Sequence, residues 1–303
     1  MSDPVELLVD GPDGSRAVRV TNPDRLSFPA LGVTKLDVVR YFLSVGQGIL
    51  AALRDRPTML QRMQGERGQV FFQRRVPRGA PRWVASARLA ARDGTALDVV
   101  CPTELAVVAW AANLGTLAFH PWPVRRADVD RPDQLLIDLD PQPGTGFTDA
   151  SRVAIELRGL LAEHGMDGFP KTSGGRGLHV IVPIDPCCSW TEARRAHVAL
   201  GRELVRRMPA HATVELRKRD RGPRVYVDCN PQTVASAYSI RPGDRALVSA
   251  PVTWDELSAV SPEDFDVTTM PARFAAAGDL HAGLAGSSFA LAPLLELADR
   301  DER

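Results

Sequence analysis

A sheet carrying packed helices, the α/β (α+β) class, is predicted for this chain by three observations. Apolar runs bounded by turn residues alternate with stretches of helical periodicity between residues 135 and 227. Glycine-bearing loops at 141–147 and 173–177 follow or separate those strands, and no internal repeat or low-complexity linker interrupts the 303 residues. A single integrated domain over 1–303 is therefore expected.

Short strands are expected near the N-terminus, followed by a helix over residues 35–53 that opens at Thr34, a suitable N-cap. Another helix fits 103–114. Beyond the HPWP break at 120–123, the reading is strand at 135–139, helix at 149–164, strand at 178–184 and helix at 191–208. Strands follow near Val214 and at 225–227. The Ala-rich acidic segment after Phe274 predicts a peripheral helix.

Charge is balanced overall, 37 Lys plus Arg against 37 Asp plus Glu, which argues against a histone-like coat. An apolar share of 44%, with 24 Gly and 24 Pro, fits a folded chain and neither a disordered nor a collagenous one. The start, MSDPVE, has no basic-then-apolar signal, and the longest apolar run, 105–112, is far short of the ~20 residues a bilayer requires. Neither secretion nor a membrane partner is expected, which places the protein in the cytoplasm. Cys101, Cys187, Cys188 and Cys229 form no C-x-x-C, so neither zinc nor a disulfide scaffold is supported.

The balance hides a split, because residues 255–303 hold ten acids and three bases. Arginine dominates the basic remainder; the only lysines are Lys35, Lys171 and Lys218. Residues 54–82 contain eight arginines interleaved with Phe71, Phe72 and Trp83, and residues 217–224 contain five bases. Such clusters are solvated faces or turns, or cations among aromatic faces on which a nucleic-acid base can stack.

The most informative segment is Leu135-Leu136-Ile137-Asp138-Leu139-Asp140-Pro141. Residues two apart on a strand share a face, so Asp138 and Asp140 stand side by side at the exit of an apolar strand, with Pro141 expected to stop its ladder. Adjacent carboxylates suit a divalent cation, and a third, for which Asp228 at the end of Arg224-Val225-Tyr226-Val227-Asp228 is the candidate, would allow the two-ion arrangement of phosphoryl transfer. A D-x-D that merely caps the next turn is the alternative. Lys171-Thr172-Ser173-Gly174-Gly175-Arg176-Gly177-Leu178-His179 brings a hydroxyl, a guanidinium and an imidazole around glycines that let backbone N–H groups approach an anion. An ordinary hairpin turn has the same look.

Taken together, DLDP, SGGRGLH and the strand-end Asp of RVYVD resemble the three motifs of the archaeo-eukaryotic primase superfamily. More specifically, the chain resembles the polymerase domain of bacterial ligase D, the enzyme of non-homologous end joining. The likeness runs from TNPDRLSFPALGVTK through FFQRRVP, WAANLGTLAFHPW, DLDPQPGTGF and KTSGGRGLHVIVPI to ASAYSIRPGDRALVSAPVTWDEL.

The resemblance implies a primase-polymerase fold, a central mixed sheet flanked by helices, in one domain. Its subregions would be 1–125 for DNA and 5′-phosphate binding, 126–260 for metal and nucleotide, and 261–303 as an acidic tail. It implies two divalent ions, Mn2+ or Mg2+, on Asp138, Asp140 and Asp228. It places His120, Ser173, Arg176, His179 and Arg241 at the nucleotide, Arg25 and Lys35 at a 5′-phosphate, and Phe71 and Phe72 against DNA. The implied activity is addition of nucleotides, preferentially ribonucleotides, to 3′ ends at gaps or breaks. Implied partners are DNA with gaps or ends, nucleoside triphosphates, a DNA ligase and a DNA-end-binding protein, met by association, since the chain reads as a stand-alone homologue.

Two features depart from the family pattern. The segment Cys229-Asn230-Pro231-Gln232-Thr233 is short and lacks a basic group, and Gln61 stands where a charged residue is common. Two rival readings remain. A catalytically weak or inactive scaffold would use Arg25, Lys35 and the arginines to hold 5′-phosphorylated DNA. A phosphohydrolase of the haloacid dehalogenase type would use Asp138 as nucleophile, but needs a later acidic pair that Gly243-Asp244 does not complete.

Overall fold

The computed structural model describes residues 2–64, 68–90, 94–229 and 231–302. Strands β1 (Val5–Val9), β2 (Arg16–Val20), β3 (Leu26–Phe28) and β4 (Val33–Thr34) precede helices α1 (Lys35–Ser44) and α2 (Gly46–Leu53). Strands β5 (Thr58–Gln64), β6 (Gln69–Gln73), β7 (Ser86–Ala90) and β8 (Ala96–Val100) lead to α3 (Leu105–Asn113) and β9 (Thr116–Pro121). There follow β10 (Gln134–Pro141), α4 (Phe147–Glu163), β11 (Phe169–Thr172), β12 (Leu178–Pro183) and α5 (Trp190–Arg207). The chain continues with β13 (Ala212–Thr213), β14 (Val225–Asp228), α6 (Met270–Ala277) and α7 (Ala292–Asp301).

Contacts group these elements into two units. One comprises Met1–Trp122, Ala235–Ser249 and Glu263–Asp279; the other comprises Pro123–Val234, Ala250–Pro262 and Leu280–Arg303.

In the first unit, β6, β5 and β9 form an antiparallel sheet, accompanied by the hairpins β1–β2, β3–β4 and β7–β8. Thr34 caps α1 as expected. Its hydroxyl accepts from Asp37 N at 3.1 Å, and Asp37 Oδ2 accepts from Thr34 N at 2.9 Å, a reciprocal capping box. The single helix expected over 35–53 is instead two helices bent by 80° at Val45. Glycine permits the turn: a Cβ on Gly46 would fall 2.5 Å from Leu105 Cδ2, and one on Gly48 2.4 Å from the Tyr238 ring. The second helix thereby drives Ile49 and Leu53 into full burial. No single helix among the described residues is long and apolar enough to cross a membrane.

In the second unit, the strand order is β11-β12-β10-β14-β13, antiparallel except for the parallel pair β13–β14. Helix α4 lies across β10, β12 and β14, α5 packs on α4 and β13, and α7 packs on α5. Alternation along β10 decides what each face does. Leu135, Ile137 and Leu139 are fully buried, on the face that α4 covers, whereas Leu136, Asp138 and Asp140 point the other way. On that second face Leu136 joins an apolar cluster with Ile181 and Val234, so the sheet passes from apolar to acidic along one strand.

Strand β10 runs further than expected, because Pro141 pairs with Val225 and ends the ladder from within it. Strand β11 adds to the expected elements, since a four-residue strand containing Pro170 has a weak signal. The segment after Phe274 holds the end of α6, in the first unit, and α7, in the second. The acids of α7 and its C-cap meet arginines of α5: Arg195 reaches Asp299 and Glu302, each at 2.9 Å, and Arg206 reaches Asp301 at 2.7 Å.

Candidate active site

Register assembles the site in the second unit. Asp138 lies opposite His179 of β12 on one side and opposite Asp228 of β14 on the other. His179 lies in turn opposite Lys171 of β11. Directly opposed residues project to the same face, so Lys171, His179, Asp138 and Asp228 form one transverse row across four strands. Asp140, two residues beyond Asp138, shares the face. Lys171 Nζ is 2.6 Å from His179 Nδ1, and His179 Nε2 is 3.5 Å from Asp138 Oδ1. Burial grades along the row, from Lys171 at 0% exposure to a side-chain exposure of 32% at Asp138.

A second set of contacts orients Asp140. Gln142 Nε2 donates to Asp140 Oδ2 at 2.9 Å, and Gln142 Oε1 accepts from Arg221 Nη1 at 3.4 Å. The Arg221 guanidinium lies 3.4 Å from the centre of the Tyr226 ring and donates to the carbonyls of Glu215 and Leu216. Burial first, and the Asp228 charge next, raise the Tyr226 phenol above its ordinary pKa. The basic cluster 217–224 is thus divided in use. Arg221 turns inward, Arg224 staples the turn through the carbonyls of Arg221 and Asp220, and Arg217, Lys218 and Arg219 are exposed.

Three carboxylates on one sheet face are a donor set for a hard divalent cation. Among the described residues no group of three or more His, Cys, Asp and Glu is spaced to hold a metal ion.

The loop between β11 and β12 is a hairpin turn beside this row. Ser173 Oγ accepts from the N–H groups of Gly175 and Gly177, each at 3.2 Å, so the glycine donors expected for an anion are capped by the neighbouring hydroxyl. A Cβ on Gly177 would lie 2.6 Å from the Leu139 carbonyl oxygen, a close approach of two backbones that only glycine allows. Arg176 is exposed, with Nη2 3.5 Å from the Pro141 carbonyl. The structure therefore brings together Asp138, Asp140, Asp228 and His179, with Ser173 and Arg176 on the adjoining loop. Of the segment 229–233, Cys229 is buried beside Gly201, and Asn230 lies outside the described residues.

The remaining candidates belong to the first unit. His120 is buried, with Nε2 3.2 Å from Gln61 Oε1 and its ring edge-to-face with Phe72 at 5.2 Å. Gln61, noted for lacking a charge, is thus a partner of His120. Phe72 is 49% exposed on that face, while Phe71 points to the opposite face beneath the Arg62 guanidinium at 5.2 Å. Strand alternation keeps the two rings from making one platform. Arg62 itself donates to the Leu114 carbonyl and Gln73, and Arg56 is buried, so the 54–82 cluster is partly structural. Arg67 of that cluster lies outside the described residues. Arg241 is half-buried at a turn, its N–H donating to the Leu247 carbonyl at 2.7 Å.

Arg25 and Lys35 are brought together at the β3–β4 hairpin, where Lys35 N donates to the Arg25 carbonyl at 2.8 Å. Lys35 Nζ donates to Thr21 Oγ1 at 3.2 Å. Burial, then the charge of Arg25, lower the Lys35 ammonium to a pKa of about 8.

Lys171, Gln142 and Arg221 were not singled out from sequence. For Lys171 the signal was there: a five-residue turn between Lys171-Thr172 and Leu178-His179 sets the lysine opposite the imidazole.

Comparison with known proteins identifies the family. Residues 34–281 match the family profile described as LigD, primase-polymerase domain. The multifunctional non-homologous end joining protein LigD of Mycolicibacterium smegmatis is 31% identical over 248 residues, which cover 80% of this chain and 32% of that protein. The bifunctional LigD of Bacillus subtilis is 29% identical over 260 residues, 84% of this chain and 42% of that protein. The chain thus spans well under half the length of these relatives. Among solved structures, the polymerase domain of Mycobacterium tuberculosis ligase D in complex with DNA superposes with a TM-score of 0.83 at 30% identity, covering 89% of this chain and 99% of that one. Mixed sheet, flanking helices and matched sequence lead to one conclusion: the chain belongs to the LigD primase-polymerase domain family.

Proposed function

We propose that this chain is a DNA-dependent nucleotidyltransferase that adds nucleotides, preferentially ribonucleotides, to 3′ ends at gaps or breaks during end joining. The observation that carries the reading is the set of three carboxylates, Asp138, Asp140 and Asp228, on one face of the family's central sheet. The relatives' names point to end joining, and the DNA bound to the structural neighbour supports DNA as the substrate.

Polymerase domains of this family are metal-dependent, and these three aspartates would hold the ions, in our reading two, manganese or magnesium. Bound divalent ions supply the Lewis acidity and positive charge that transfer between a 3′-hydroxyl and a triphosphate requires. In that transfer the 3′-oxygen bonds to the α-phosphorus while the bond from that phosphorus to the leaving pyrophosphate breaks. Gln142 holds the Asp140 carboxylate in one orientation, and His179 and Arg176 offer N–H donors for triphosphate oxygens. Ser173 shapes the loop that carries Arg176. His120 and Arg241 keep the nucleotide-binding role that the resemblance implies. Arg25 and Lys35 receive the 5′-phosphate, and exposed Phe72 offers a face for a base. Placement and electrostatics are the protein's main contributions, because the nucleotide brings its own leaving group.

The test is extension of a gapped duplex bearing a 5′-phosphate, with manganese and ribonucleotides, by the parent chain and by an Asp138→Ala/Asp140→Ala variant of unchanged circular dichroism. Extension by the parent alone is expected. Tight DNA binding with no extension by either protein sinks the polymerase in favour of the end-binding scaffold.

A further inference from the structure

We propose that Lys171 is a positioning residue: by donating from Nζ to Nδ1 of His179 it fixes that imidazole as the Nε2–H tautomer, with its N–H directed along the row toward Asp138 and an incoming phosphate. The inference rests on the reading of His179 as a nucleotide-site residue and adds the group that sets its orientation.

An ammonium has three donors and no acceptor. With Lys171 as the ammonium, the imidazole nitrogen 2.6 Å from its Nζ accepts, carries the lone pair, and leaves the ring proton on Nε2. Nε2 is the nitrogen that faces Asp138, at 3.5 Å, so the ring presents a donor toward the acidic end. The opposite tautomer would turn a lone pair toward a carboxylate.

Packing makes Lys171 suited to this task. Its strand is held on one side by β12 and on the other by the segment after Ser249, where Lys171 bridges to Pro251 and Thr172 N donates to the Ala250 carbonyl at 2.9 Å. Val252 N donates to the Pro170 carbonyl at 3.1 Å, so the backbone on both sides of Lys171 is fixed. The side chain is wholly buried, and a buried ammonium is costly unless polar groups receive it. An apolar side chain would fill the same space without that cost. The same face offers His179 to donate to and Asp138 and Asp228 as counter-charges in its row.

The direct test is a long-range 1H–15N imidazole correlation spectrum of the 15N-labelled full chain, with His179 assigned by His179→Gln. The parent is expected to show one tautomer, protonated at Nε2 and unprotonated at Nδ1. Lys171→Met, checked for folding by its melting curve, is expected to show a mixture, with the nucleotide KM raised about tenfold, as for one lost charge-assisted hydrogen bond, and kcat nearly unchanged. A parent spectrum with Nδ1 protonated or averaged overturns the proposal, as does an unaltered His179 signature in a folded Lys171→Met. Should that variant fail to fold, the parent spectrum alone decides. A parent that shows the locked tautomer but extends no primer loses the polymerase reading and keeps the positioning of His179.

Discussion

The acidic end of the five-stranded sheet and the cationic pair at the β3–β4 hairpin both gather like charges, and they handle them differently. At the acidic end the counter-groups are built in: His179 beside Asp138 with Lys171 behind it, and Gln142 on Asp140 with Arg221 behind it. At the hairpin, burial and a neighbouring guanidinium work in the same direction against the Lys35 charge. One site is held in shape by its own side chains, which suits the reaction centre proposed there. The other carries its charge without such support, which suits the anion recognition proposed there.

The sharpest way to break the comparison is Asp228→Ala, which is expected to lower extension by more than about 10³-fold while leaving affinity for 5′-phosphorylated DNA within about twofold. Primer-extension rates beside filter binding of the same DNA check both halves, and a parallel loss of binding would merge the two sites. Gln142→Leu removes an orienting donor without removing a ligand and is expected to weaken metal affinity by about 10-fold to 100-fold, read as the manganese concentration for half-maximal extension.

Lys35→Met is expected to cut the preference for a 5′-phosphate over a 5′-hydroxyl about tenfold with extension rate retained. A pH series sharpens this. The ammonium binds phosphate and the neutral amine does not, so with a free-protein pKa of about 8 the parent's preference falls as pH rises above 8, whereas Lys35→Met stays flat. Smallest is Thr34→Ala, which removes the capping hydroxyl and is expected to cost about 1 kcal/mol by thermal melting.

Sequence made much of this legible where local pattern decides structure. The capping residue Thr34, helices α3, α4 and α5, and the shared face of Asp138 and Asp140 follow from periodicity and alternation. The bend between α1 and α2 does not, because it is set by how closely Gly46 and Gly48 approach Leu105 and Tyr238, both remote along the chain. Strand β11 gives a weak signal because it is short and contains a proline, so the turn spacing that sets Lys171 opposite His179 is readable only once that strand is placed. Arg221 looked like one more surface cation, and only the path of the 215–221 turn sends it toward Gln142. The placement of Phe71 and Phe72 on opposite faces was legible, since adjacent strand residues always diverge.

The transverse row has a consequence for folding fidelity. Its members come from four strands and coincide on one face only in one register, and a slip of a single residue turns a whole strand's side chains over. A chain that paired β12 one residue out would lose His179 from the row while the sheet still formed. Under the proposed function, a slip of this kind would divide a preparation into two populations, seen in the fraction of protein able to take up nucleotide, with the turnover of each competent molecule unchanged.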